Sequence, residues 1–377
     1  MKKRFLSGVL AFLLCPLFLS APAEATENPN ISVSAASFVL INAETGTILY
    51  EKNAHEQRAI ASTTKIMTAL VTIEAGDLDK SFTVDSMAIR VEGTSMGLQE
   101  GDIVTRRALL YGMLLPSGND AANAAAVSVS GTMDKFAQRM NSYAKAIGMT
   151  ESNFVNPSGL DADGHYSTAY DMALLARTAL QNETFREICC QANAQLSFGN
   201  PPYQRWLHNS NKLLWNYDGC IGVKTGFTDN ARRCLVSAAE RDGVTLICVT
   251  LNAPNDWQDH TKLLDYGFSA VENRQIELEQ IPTVSVIGGV KDCVALEPQE
   301  PLAVSVTASQ QVETQICLEP FLYAGVEQGE QAGKVLISVD GAVVKEVALV
   351  TDSSVEQCEC RLGFWEGICQ FFRQLFG

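Results

Sequence analysis

Ser62 and Lys65 stand three residues apart in A-S-T-T-K, the spacing that puts two side chains on one face of a helix. A serine hydroxyl is a weak nucleophile until a neighbouring base takes its proton. A lysine serves as that base only when burial or nearby cations lower its pKa. The chain holds a second such pair, Ser142 and Lys145 in S-Y-A-K. That pair lies within D-K-F-A-Q-R-M-N-S-Y-A-K-A-I-G-M, a helix rich in exposed-type residues, where Lys145 reads as a solvated charge. Ser62 and Lys65 instead open their helix, with Ala61 before them and Met67, Leu70, Val71 and Ile73 anchoring its later turns. A helix start offers free N–H groups that can stabilise an oxyanion. Spacing alone does not choose between the two pairs.

Two further groups follow in chain order. P-S-G-N-D carries Ser117 and Asn119, the only S-x-N of the chain, and D-G-C-I-G-V-K-T-G-F-T carries its only K-T-G, at Lys224, Thr225 and Gly226. Each alone is compatible with a capping turn or a hairpin end. S-x-x-K, S-x-N and K-T-G in that order are the signature of penicillin-recognising serine acyl transferases. The sequence resembles the low-molecular-weight penicillin-binding proteins, the serine-type D-alanyl-D-alanine carboxypeptidases of the peptidase S11-like family. The likeness extends to G-T-S-M-G-L at 93–98, L-L-Y-G-M-L-L-P-S-G-N-D-A-A-N at 109–123, N-P-S-G-L-D at 156–161, H-Y-S-T-A-Y-D-M-A at 165–173 and L-L-D-Y-G-F at 263–268, and covers about 36 to 350.

The resemblance implies a role for each residue. Ser62 would attack the carbonyl of a D-Ala–D-Ala bond with Lys65 as general base. Ser117 would relay the proton to the leaving D-alanine, and Asn119 would orient Lys65 and the substrate amide. Lys224 would supply positive charge, and Thr225 a hydroxyl, to the substrate's terminal carboxylate. Gly226 would let its strand approach the substrate closely. The N–H groups of Ser62 and Phe227 would form the oxyanion hole. Water would then hydrolyse the acyl-enzyme, and no metal or organic cofactor is required. The implied partners are peptidoglycan stem peptides ending in D-Ala–D-Ala and β-lactam antibiotics. One departure stands out. Some relatives carry an arginine shortly before L-L-x-x-G-F that helps hold the carboxylate, but A-P-N-D-W-Q-D-H-T-K has none. Arg232 and Arg233 replace a small residue common after the K-T-G strand and read as surface charges, and Trp257 and His260 read equally as packing residues or ligands.

The elements that must position these groups fall into two textures. From about 36 to 272, short β-like runs (S-F-V-L-I-N, T-L-I-C-V-T-L) flank long helical stretches such as R-R-A-L-L-Y-G-M-L-L. This is an α/β pattern, and the resemblance makes it a β-lactamase/transpeptidase-like domain, an antiparallel sheet flanked by helices, over 26–272. After about 275 the helical pattern gives way to alternating strands, with Asp340-Gly341 as a hairpin turn, giving a small all-β domain over 275–350. Residues 351–377 end in R-L-G-F-W-E-G-I-C-Q-F-F-R-Q-L-F-G, whose apolar residues share about half the circumference of a helix. The segment is too short to span a bilayer and suits an amphipathic anchor lying in the membrane interface, as in members of the resembled family. At the other end, M-K-K-R, an apolar run and A-P-A-E-A form a signal peptide cleaved after Ala25, which implies export to the outer face of the cytoplasmic membrane or the cell-wall space.

Composition removes other classes. The 377 residues carry a net charge of −15, which becomes about −17 once the leader's three basic and one acidic residues are gone. So acidic a chain repels nucleic acid. Its 11 cysteines have no zinc-site spacing, and its four histidines form no H-E-x-x-H, which argues against a metal hydrolase. Three readings stay open: the carboxypeptidase, a β-lactamase or D,D-endopeptidase on a similar site, and a penicillin-binding module without turnover. A β-lactamase would share the three motifs but carry neither the C-terminal domain nor the tail.

Overall fold

The structure, a computed structural model, describes residues 31–280, 282–358, 372, 373 and 375. A five-stranded antiparallel sheet forms the centre of the first domain. Its strands are β1 (Ser37–Asn42), β2 (Ile48–Lys52), β3 (Cys220–Thr228), β4 (Arg232–Arg241) and β5 (Val244–Leu251), in the spatial order β2-β1-β5-β4-β3. Every residue of β1 is buried, as expected of an apolar run covered on both faces. The K-T-G motif thus lies on an edge strand, with one side of its backbone free to meet a substrate.

Helices α1 (Lys65–Glu74) and α5 (Ala169–Leu180) lie on one face of the sheet, and α2 (Arg106–Leu114), α3 (Asn119–Ser130) and α4 (Met133–Ala146) pack around α1. Helix α1 is buried from Lys65 through Thr72 and sits at the centre of this cluster. It has no exposed face because neighbours surround it, α3 among them with a run of small residues (N-D-A-A-N-A-A-A-V) that lets backbones approach. The other face is covered by α6 (Asp256–Ala270), whose Leu263 and Leu264 pack with Leu40, Leu235 and Leu246 of the sheet. The expected α/β domain, an antiparallel sheet flanked by helices, is the architecture found.

Strand Val271–Gln275 leaves α6 and pairs with Ala303–Thr307, joining the second domain. Polar groups hold the junction: Asn42 Nδ2 donates to the Ser305 carbonyl at 2.7 Å, and Ser305 Oγ donates to Glu44 at 2.6 Å. Beyond it lies a six-stranded sheet around Val304, Val335, Ile337 and Leu349. Asp340 (φ 51°) and Gly341 (φ 82°) turn Gln331–Val339 into Ala342–Thr351, the left-handed pair that a two-residue hairpin requires. Pairing continues past 351: Val355 is fully buried, its N–H donates to the Val326 carbonyl, and Cys358 N–H donates to the Gly288 carbonyl at 2.8 Å. The expected leader at 1–25 lies outside the described residues. Of the expected tail helix only Phe372, Arg373 and Leu375 are described; they are helical, with Phe372 and Leu375 exposed. No helix among the described residues is long and apolar enough to cross a membrane.

Candidate active site

Ser62 sits in a 3₁₀ turn (Ala61–Thr64) that runs straight into α1. Ala61 enters that turn at φ 49°, a conformation few non-glycine residues adopt, which holds Ser62 at the floor of a cleft of 510 Å³. Lys65, one turn on, is completely buried. Its Nζ lies 2.8 Å from Ser62 Oγ, 2.7 Å from Asn119 Oδ1 and 2.6 Å from the Ser158 carbonyl. Burial, aided by the nearby charge of Lys224, pulls its pKa well below that of an ordinary lysine. The two carbonyl oxygens can only accept. A neutral amine has two N–H groups and one lone pair, so those oxygens take both hydrogens and leave the lone pair facing the Ser62 hydroxyl.

The other arms of the cleft are equally constrained. Ser117 lies in the turn between α2 and α3 and Asn119 opens α3; Ser117 adopts φ 66° and its carbonyl accepts a hydrogen bond from Thr94. Asn119 Nδ2 donates to the Glu92 carbonyl at 2.7 Å, which turns its Oδ1 toward Lys65. On β3, side chains alternate. Lys224 is buried on the helical side, with Nζ donating to the Thr225 carbonyl at 2.9 Å, and burial lowers its pKa to about 7. Gly226 also faces that side. A Cβ there would meet Ser62 N, the Ile60 carbonyl and Ala61 Cβ, each at 3.1 Å, so glycine is what lets the strand press on the turn holding Ser62.

The strand register decides where the Phe227 N–H points. Phe227 stands opposite Arg233, and the Arg233 carbonyl accepts from Ala253 N–H on the side away from β3. Phe227 and Arg233 are therefore a non-hydrogen-bonded pair, and the backbone groups of Phe227 point out from the sheet edge. Thr225 shares that parity, in keeping with its carbonyl being free to accept from Lys224. The N–H of Ser62, in the first turn of its 3₁₀ helix, has no partner within that helix. The cleft is thus lined by two outward N–H groups, Ser62 and Phe227.

The structure brings Ser62, Lys65, Ser117, Asn119, Lys224, Thr225, Gly226 and Phe227 together. Ser142 is apart from them: it is exposed, and its hydroxyl donates to the Gln138 carbonyl within α4. Residues that the motifs did not single out support the site. Asp120 accepts from Ser95 Oγ and from the N–H groups of Met96, Gly97 and Leu98, which fixes the 93–98 loop. His165 accepts from Val155 N–H at Nδ1, so its Nε2 carries the proton toward Thr64 Oγ1 at 2.9 Å, and burial holds its pKa down at about 4. This ties Val155, just before the 156–161 loop, to the turn holding Ser62, and Thr68 of α1 donates to the Pro157 carbonyl beside Ser158 at 2.6 Å. Only the quoted H-Y-S-T and N-P-S-G-L-D segments hinted at that arrangement. His260 proves to be a packing residue, fully buried between Ser237 and Thr250. Trp257 lines the cleft. Arg232 is exposed, but Arg233 is no mere surface charge: it lines the cleft and pairs with Asp256.

Gly159 offers a test of this support. It adopts φ 80°, and a Cβ would stand 2.0 Å from the Ala61 carbonyl oxygen and 2.8 Å from Thr64 Oγ1. Gly159→Ala should cost about 2–4 kcal/mol of stability and slow acylation of Ser62, because the loop must retreat and take the Ser158 carbonyl with it. Thermal unfolding together with penicillin-labelling rates checks this; unchanged labelling would mean that the loop does not hold Lys65.

Residues 23–255 match the D-alanyl-D-alanine carboxypeptidase family, peptidase S11, and residues 278–357 match the C-terminal domain of penicillin-binding protein 5. The chain is 32% identical to the D-alanyl-D-alanine carboxypeptidase DacF of Bacillus subtilis over 360 residues, 91% of this chain and 92% of that protein. It is 32% identical to DacC of Escherichia coli over 96% of this chain and 95% of that protein. Among solved structures, the carboxypeptidase DacD of Francisella tularensis superimposes with a TM-score of 0.62 at 27% identity, covering 90% of this chain and 98% of that one. The Streptomyces K15 DD-transpeptidase superimposes with a TM-score of 0.61 at 34% identity, covering 63% and 98%. With its three motifs meeting in one cleft and a matching C-terminal domain behind it, the chain belongs to the peptidase S11 family of serine-type D-alanyl-D-alanine carboxypeptidases.

Proposed function

We propose that this chain removes the terminal D-alanine from peptidoglycan stem peptides through an acyl-enzyme on Ser62, and that penicillins acylate the same hydroxyl. The observation that carries the reading is the 2.8 Å approach of Ser62 Oγ to a buried Lys65 whose two other partners are carbonyl oxygens. Neutral Lys65 accepts the Ser62 proton as Oγ attacks the carbonyl carbon of the penultimate D-alanine. The oxyanion is held by the N–H groups of Ser62 and Phe227, each worth about 3–4 kcal/mol in comparable sites. The C–N bond breaks as the proton passes through Ser117 to the leaving amine. Lys224 and Thr225 hold the terminal carboxylate, Asn119 fixes Lys65 and the substrate amide, and water then hydrolyses the ester. Release of free D-alanine from a synthetic peptide ending in D-Ala–D-Ala tests the reading; a chain that folds and releases none overturns it.

The mature chain begins after Ala25 in this reading, with a catalytic domain to about 272, the β-rich domain behind it and the C-terminal segment as a peripheral anchor on the outer face of the cytoplasmic membrane. Val355 to Cys358 are paired into the β-rich domain, which supports an anchor that begins after Cys358. Truncation after Cys358 should release an active, penicillin-binding protein into the soluble fraction of cells. Retention on membranes, or unfolding, would mean that the tail is not the anchor.

A further inference from the structure

The stretch before L-L-D-Y-G-F lacks an arginine, yet the cleft still has a guanidinium. We propose that Arg233, reaching in from β4, is a direct ligand of the substrate's terminal carboxylate and sets the enzyme's preference for a free C-terminus. This rests on the carboxypeptidase reading above.

The register puts Arg233 there. It stands opposite Phe227 as a non-hydrogen-bonded pair, the class in which side chains lie closest, and one step diagonally from Thr225. Thr225, Phe227 and Arg233 therefore share one face at the sheet edge, and all three line the cleft that holds Ser62. An arginine easily spans the diagonal to the Thr225 hydroxyl. The guanidinium is also aimed. Nε donates to Asp256 Oδ1 at 3.0 Å, Nη2 lies 2.9 Å from the same oxygen as an ion pair, and the Trp257 ring lies 5.7 Å from the guanidinium centre. Asp256 is itself almost fully buried and accepts from Trp257 N–H, so the anchor does not swing. Among the described residues Nη1 has no partner, and 42% of the Arg233 side chain remains exposed. A guanidinium held by one carboxylate and open on its other edge is suited to a second carboxylate.

Lys224 does not make Arg233 redundant. It is 1% exposed, lies behind the strand, and its Nζ is turned to the Thr225 carbonyl. It contributes charge from below, whereas Arg233 has N–H groups at the cleft surface. Asp256 occupies the segment where an arginine was missing, so the cation and its holder are divided between β4 and α6.

The test compares a D-Ala–D-Ala peptide with the same peptide ending in D-alaninamide, reading D-alanine or D-alaninamide release by full-length wild type, Arg233→Gln and Arg233→Lys, with thermal unfolding of each. Wild type should prefer the acid. Arg233→Gln should lose about 10–100-fold in kcat/KM on the acid, the worth of one charge-assisted contact, and change less than about threefold on the amide. Arg233→Lys should recover part of that loss. An equal loss on both substrates makes Arg233 a structural residue and overturns the proposal, as does an unchanged acid-to-amide ratio. If wild type releases no D-alanine at all, the carboxypeptidase reading fails and the inference falls with it.

Discussion

Ser62→Ala should abolish D-alanine release, lowering kcat by about 10⁴-fold or more, while Ser142→Ala leaves it at the wild-type value. The two serines have the same S-x-x-K context and opposite surroundings. Lys65 is fully buried, and its pKa is lowered. Ser142 faces solvent on α4 and spends its hydroxyl on the helix backbone. Removing the Ser62 hydroxyl deletes the bond-forming atom, so no neighbouring group can compensate. The side chain is small and sits at a helix start, so folding should be little changed. Substantial turnover by a folded Ser62→Ala protein would contradict the assignment.

Lys224→Met should raise stability and depress activity together. Folded, Lys224 gives up its proton near pH 7 because it is buried; unfolded, it holds the proton to about 10.5. Between those values the unfolded chain binds more protons, so stability at this site rises with pH from about 7 to 10.5 and is lowest below 7. Methionine removes the buried ammonium. Below pH 7 the variant should gain stability on the order of 3–5 kcal/mol over wild type, and the gain should vanish as pH approaches 10.5. Over the same range kcat/KM on a D-Ala–D-Ala peptide should fall by about 10²–10³-fold, since the carboxylate loses a charge partner in a dry site. Thermal unfolding at several pH values and steady-state kinetics measure both. Near-normal activity would make Lys224 a strand-end lysine without a catalytic task.

The motifs and the two-part architecture are legible because they are local. Three short patterns, an apolar strand at 37–42 and an Asp-Gly turn each state their own conformation. Which backbone groups meet is another matter. The Ser158 carbonyl that takes a hydrogen bond from Lys65 lies 93 residues away and has no side-chain signature. His165 acts through a tautomer set by Val155 N–H, which no spacing rule encodes. Arg233 reads as a surface charge beside Arg232, which is one; only the register against Phe227 turns it into the cleft. The β-rich domain runs further than the polar D-S-S-V-E-Q suggests, because Val355 within that stretch is fully buried.

Whether Ser62 carries the acyl group is measured most directly by the intact mass of the protein after exposure to a penicillin, followed by mass mapping of its peptides. The mechanism predicts a single accumulating penicilloyl adduct on the peptide that contains Ser62, formed at the expense of D-alanine release. An adduct on any other residue, or rapid penicillin hydrolysis with no adduct and no D-alanine release from the peptide substrate, would contradict it.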